Sequence, residues 1–137
     1  MLTGIDEPIR HRALIPLQSR TAEEICRALD VILRAYNHAG HTVTEIRCDN
    51  EFKSIMNEVK DDVDIHMNCP PKGEKDGAAE RNNQTIGERI RATCHAQPHA
   101  AMPKILLKCM AMVATQQLNY FPAKGGVSPY SITVHMF

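Results

Sequence analysis

Between Thr21 and Gly40 the chain carries a helical pattern with a marked start and a marked stop, set between runs that read as strands. No other feature restricts the fold as much. Ile25, Leu29, Ile32, Leu33 and Tyr36 recur at three- and four-residue spacing and form one apolar face. Thr21-Ala22-Glu23-Glu24 is a capping box: the Thr21 hydroxyl bonds the Glu24 N–H, and the Glu24 side chain reaches back. The spacing predicts a helix to His38, with Gly40 as its C-terminal stop. A helix apolar on one side needs a layer to cover that side. The flanking sequence supplies strands for it. Met1 to Ile5 and His11 to Leu17 read as two strands around a turn at Asp6-Glu7-Pro8, with Pro16 marking an edge or a strand end. Val43 to Cys48 follows as a third. Strand, strand, helix, strand is the order of a mixed α/β sheet.

The rest of the chain continues the alternation. Phe52, Ile55, Met56 and Val59 predict a short helix to about Lys60, and Val63 to Met67 alternates as a strand. Cys69 to Gly77 holds two prolines and a glycine and is a loop. Helices are predicted from Ala78 to about Ala96 and from Pro103 to about Leu118, with Pro98 closing the first. An extended tail follows. At 137 residues the chain is long enough for one domain with a core. Residues 1–122 are expected to form that domain and residues 123–137 the tail.

Sixteen basic residues balance sixteen acidic ones, so global charge makes no case for nucleic-acid binding, although a local basic face remains open. With no Trp, three Phe and three Tyr, a base-stacking platform is excluded as the main device. Five cysteines without CxxC spacing fit free thiols in a reducing compartment. No signal peptide and no membrane-spanning run is found, which implies a soluble protein of the nucleus or cytoplasm, not a secreted one. His95 and His99 lack a second pair for zinc, and His38 and His41 beside the helix stop read as solvent-exposed.

Two acids stand where secondary structure changes. Asp49 ends a strand-like run, the place where ligand sites gather in open α/β sheets. Glu80 falls in the first turn of a helix, where a negative charge meets the dipole favourably. Beyond it, Asn83, Gln84, Gly87 and Arg91 share one polar side of the helix, while Ile86 and Ile90 mark the buried side. The stripe reads either as a solvated face or as a phosphate-contacting surface led by a metal-binding carboxylate.

At Arg47-Cys48-Asp49-Asn50-Glu51-Phe52 and Ala79-Glu80-Arg81-Asn82-Asn83-Gln84-Thr85-Ile86, and again at Asn119 to Tyr130, the chain resembles the integrase catalytic core of copia-type long-terminal-repeat retrotransposons. The resemblance runs from about Met1 to Tyr130. It implies a ribonuclease H-like mixed sheet flanked by helices. Asp49 and Glu80 would be the second and third metal-binding catalytic carboxylates, holding Mg²⁺ or Mn²⁺. Asn83, Gln84 and Arg91 would contact DNA, and a homo-oligomer is compatible with the family. The implied activity is metal-dependent 3′-end processing and strand transfer. The family's first metal-binding Asp lies on a central strand ahead of the segment matched by Met1 to Ile5. The chain is therefore expected to lack that strand and to be inactive alone. A DNA- or protein-binding module without catalysis and a ribonuclease H-like nuclease are the competing readings.

Overall fold

The computed structural model describes residues 1–49, 52, 66–69, 77–98, 101–122 and 126–134. Their elements are β1 (Leu2–Ile5), β2 (Arg12–Ile15), α1 (Ala22–His38), β3 (Glu45–Arg47), β4 (His66–Asn68), α2 (Gly77–His95), α3 (Lys104–Tyr120) and α4 (Pro129–Val134). This is the mixed α/β order expected. The strands form two two-stranded sheets, β1 with β2 and β3 with β4. The helix predicted from Phe52 to Lys60 lies outside the described residues except for Phe52, as does the start of the Val63–Met67 strand. Two compact units result: one is built mainly from Thr3–Pro16 and Ala78–His135, the other mainly from Leu17–Gly77.

In the first unit the β1–β2 connection is organised by Asp6. Its side chain accepts the Ile9 N–H at 2.8 Å, its carbonyl accepts the Arg10 N–H at 2.7 Å, and its own N–H donates to the His11 carbonyl at 2.8 Å. The turn places Arg10 at φ 63°, a left-handed conformation unusual for a residue with a side chain. β2 packs against α3. Buried positions include Ile86 and Asn82 on α2, and Ala111, Ala114, Thr115 and Asn119 on α3. The small alanines of α3 permit close approach, and the Thr115 hydroxyl is satisfied by the Ala111 carbonyl at 2.9 Å.

The extended tail expected after residue 122 is corrected over Pro129–Val134, which is the short helix α4. Ser128 supplies the cause. Its hydroxyl accepts the Ser131 N–H at 3.1 Å, and Pro129 takes the first helical position, where a missing N–H costs nothing. The Tyr120 and Tyr130 rings then meet with centroids 4.4 Å apart.

In the second unit α1 ends at His38, as predicted. The capping box does not form. Thr21 is the N-cap but makes no side-chain cap bond. The Glu24 carboxylate instead accepts the Gln18 N–H at 3.2 Å and pairs with Arg27 at 2.8 Å. Charge-assisted bonds to a guanidinium outcompete the reach back to the N-cap. At the other end, Gly40 (φ 77°) donates to the Asn37 carbonyl at 3.0 Å and His41 donates to the Tyr36 carbonyl at 2.9 Å. That is a complete Schellman closure. It folds His41 back against Tyr36, with ring centroids 6.3 Å apart, and buries its Nε2. The exposure expected for His41 is thereby corrected; His38 is exposed.

Candidate functional site

β3 and β4 run parallel, with Glu45 opposite His66, Ile46 opposite Met67 and Arg47 opposite Asn68. Asp49 follows at the carboxyl end of this pair, as the sequence suggested, and is exposed. Its carbonyl accepts the Phe52 N–H at 2.9 Å. Two thiols flank it. The sulfur atoms of Cys48 and Cys69 lie 3.0 Å apart, and the Cys69 thiol is directed at the Asp49 carbonyl at 3.7 Å. Burial pushes the Cys48 thiol up to about 12, helped by its hydrogen bond to Cys69 and by the charges of Cys69 and Asp49. Glu45, on the same strand, is engaged otherwise. The Arg47 guanidinium at 3.3 Å and the Asn68 amide at 3.4 Å donate to it and hold its carboxyl below its ordinary value.

Glu80 lies in the first turn of α2 and is exposed. Asn83, Gln84 and Arg91 are exposed on the same helix, while Ile86 is 4% exposed. Asn83 accepts the Thr3 hydroxyl at 2.6 Å, which ties the stripe to β1. The Gln84 amide donates to Glu88 at 3.0 Å, an i,i+4 pair along the helix. Asp49 belongs to the second compact unit and Glu80 to the first. Among the described residues no three His, Cys, Asp or Glu side chains gather as a group able to hold a metal ion.

Sequence reasoning passed over a polar assembly on the first unit. Arg12 Nε donates to Asn82 Oδ1 at 2.9 Å, and its Nη1 donates to the Arg10 carbonyl at 3.3 Å. Asn119 grips the Arg12 main chain from both sides: Oδ1 accepts the Arg12 N–H and Nδ2 donates to the Arg12 carbonyl, each at 2.8 Å. Asn82 and Asn119 are 2% and 7% exposed, so both amides are committed inside the protein. Burial first, then the positive charges of Arg10 and Arg89, lower the Arg12 pKa. No carboxylate answers these three arginines among the described ion pairs. The sequence held a signal for this arrangement. Asn82 falls on the Ile86–Ile90 face and Asn119 on the Ala111–Thr115 face, and a polar group at a core position must have a partner.

No protein-family model matches the chain, and no curated protein matches it. Solved structures do. A chain of the simian T-cell lymphotropic virus intasome, determined in complex with the PP2A regulatory subunit B56 gamma, superposes with a TM-score of 0.69 at 16% identity over 96% of this chain. The match spans 46% of that chain, about half its length. The catalytic core domain of BIV integrase superposes with a TM-score of 0.59 at 21% identity, covering 91% of this chain and 77% of that one. The fold is that of an integrase catalytic core.

Proposed function

We propose that the chain belongs to the catalytic core of an integrase from a copia-type long-terminal-repeat retrotransposon and has little activity alone, with Asp49 and Glu80 as metal ligands. One observation carries the reading: on an integrase-core fold, the two motif carboxylates stand at a strand's carboxyl end and in a helix's first turn. Both are exposed oxygen donors, the ligand chemistry that Mg²⁺ and Mn²⁺ require. A bound divalent ion supplies positive charge at a DNA phosphate and lowers the pKa of an attacking hydroxyl or water.

The remaining work falls to side chains of the chain itself. Asn83, Gln84 and Arg91 line the exposed face that begins at Glu80 and would bind phosphate oxygens, which sets register without reading sequence. Arg12, with Arg10 and Arg89, adds positive potential. A neutral chain thus contacts DNA through local patches. Mg²⁺ needs several oxygens, and two carboxylates supply part of that set. Weak metal binding and little strand transfer by this chain alone are expected. Assembly into a homo-oligomer and residence in the nucleus or cytoplasm belong to the same proposal. Among the described residues no helix is long and apolar enough to cross a membrane.

The test is paramagnetic. Titration with Mn²⁺ should broaden the resonances of Asp49 and Glu80 first, and Asp49→Asn or Glu80→Gln should weaken binding about tenfold or more. Broadening centred elsewhere, or unaffected by either substitution, refutes the ligand assignment. A strand-transfer assay on DNA ends, run beside cleavage of an RNA–DNA hybrid, separates the enzymatic readings. Salt-sensitive DNA binding without metal dependence would identify a binding module instead.

A further inference from the structure

β3 and β4 keep one offset throughout their pairing, and Cys48 and Cys69 continue it, 21 residues apart, one step beyond Arg47 and Asn68. The ladder still holds there, since the Cys48 N–H donates to the Asn68 carbonyl at 3.1 Å. Neighbouring strands run about 4.8 Å apart, within the roughly 4.4–6.8 Å between Cα atoms that a disulfide spans. The side chains face each other, with Sγ atoms at 3.0 Å. Backbone spacing and side-chain direction are therefore both set for a bond. The other cysteines are placed differently: the Cys94 thiol points at the Met110 thioether at 3.7 Å, and Cys109 is exposed.

We infer that Cys48 and Cys69 form a reversible disulfide that ties the carboxyl ends of β3 and β4 together, one residue before Asp49. The oxidant is a low-molecular-weight disulfide. One cysteine thiolate attacks it, forms a mixed disulfide and releases one thiolate. The second cysteine gives its proton to solvent, attacks the protein sulfur of that mixed disulfide and expels the other thiolate. The protein loses two hydrogens and two electrons, and the oxidant leaves as two thiols. The bond removes the thiol directed at the Asp49 carbonyl and substitutes a covalent tether at the carboxyl ends of the two strands. Asp49 then sits on a strand end that cannot fray.

The experiment uses the full chain, fully reduced and then equilibrated with oxidised glutathione, without metal or DNA. Cys48 and Cys69 should both lose their free thiols without gaining glutathione. A non-reducing peptide map should join the Cys48 peptide to the Cys69 peptide, and dithiothreitol should restore all five thiols. Amide exchange at Arg47, Cys48 and Asp49 should slow about tenfold in the oxidised chain. In Cys48→Ser, Cys69 should stop at the mixed disulfide with glutathione. Absence of the linked peptide across the oxidant series overturns the inference. So does linkage of Cys48 to Cys26 or Cys109, or unchanged exchange at Asp49. Because no metal or DNA is added, failure here is distinct from failure of the proposed function.

Discussion

At the scale of single residues, the first unit depends on two amides inside its core. Asn119 satisfies both main-chain groups of Arg12, and Asn82 satisfies its Nε. Replacing a partner leaves a buried group unbonded, which costs about 1–3 kcal/mol. Asn119→Ala and Asn82→Ala should each destabilise the chain by about that amount in urea denaturation. Arg89→Gln, at an exposed position, should change stability by no more than about 0.5 kcal/mol. Cys48 offers a pH test. Its folded pKa of about 12 lies above the ordinary 9.0, so the folded state favours the neutral thiol. The stabilisation is complete below about pH 9 and is lost as pH rises towards about 12. Iodoacetamide at pH 9 should modify Cys48 on the order of 10²-fold more slowly than the exposed Cys109, as read by peptide mass spectrometry. Equal rates would show that the burial of Cys48 is not maintained.

At the scale of elements, α1 and α4 show how chain ends are set. The Gly40 turn satisfies two orphan carbonyls of α1 only because its φ of 77° is open to glycine. A Cβ there would meet nothing within 4 Å, so the penalty of Gly40→Ala is conformational rather than steric. The substitution should lower stability by about 1 kcal/mol, and Gly40→Asn by less, since Asn tolerates this conformation. Thermal unfolding of the pair checks both. The same elements show which local signals carried. Gly40 was legible because its effect is local. The Thr21–Glu24 box was not, because Gln18 and Arg27 compete for one carboxylate. The Ser128-Pro129 start of α4 was present in the sequence, but six residues give too little periodicity to announce a helix.

At the scale of the whole molecule, zero net charge means that any affinity for DNA would come from local cations. If Arg12, Arg89 and Arg91 meet phosphates, each should contribute about 0.9 to the slope of log affinity against log salt on duplex DNA. Their Gln variants, titrated between about 50 and 200 mM salt, should lower the slope one contact at a time. An unchanged slope for Arg12→Gln would place that side chain in a purely structural role.

The sequence by itself determined the order of the described elements through α3, the faces of α1 and α2, and the placement of Asp49 and Glu80 at element ends. These follow from periodicities and stop signals read within a few residues. The tertiary structure decided what lies across the chain. It paired Arg12 with Asn82 and Asn119, 70 and 107 residues away. It brought Cys48 to Cys69 through a strand register that no spacing rule encodes. It also turned Glu45 into an ion-pair and hydrogen-bond acceptor rather than a site acid. Hydrogen bonds and sulfur contacts act over about 3 Å. Neighbours in space separated by many residues in sequence leave no local pattern to read.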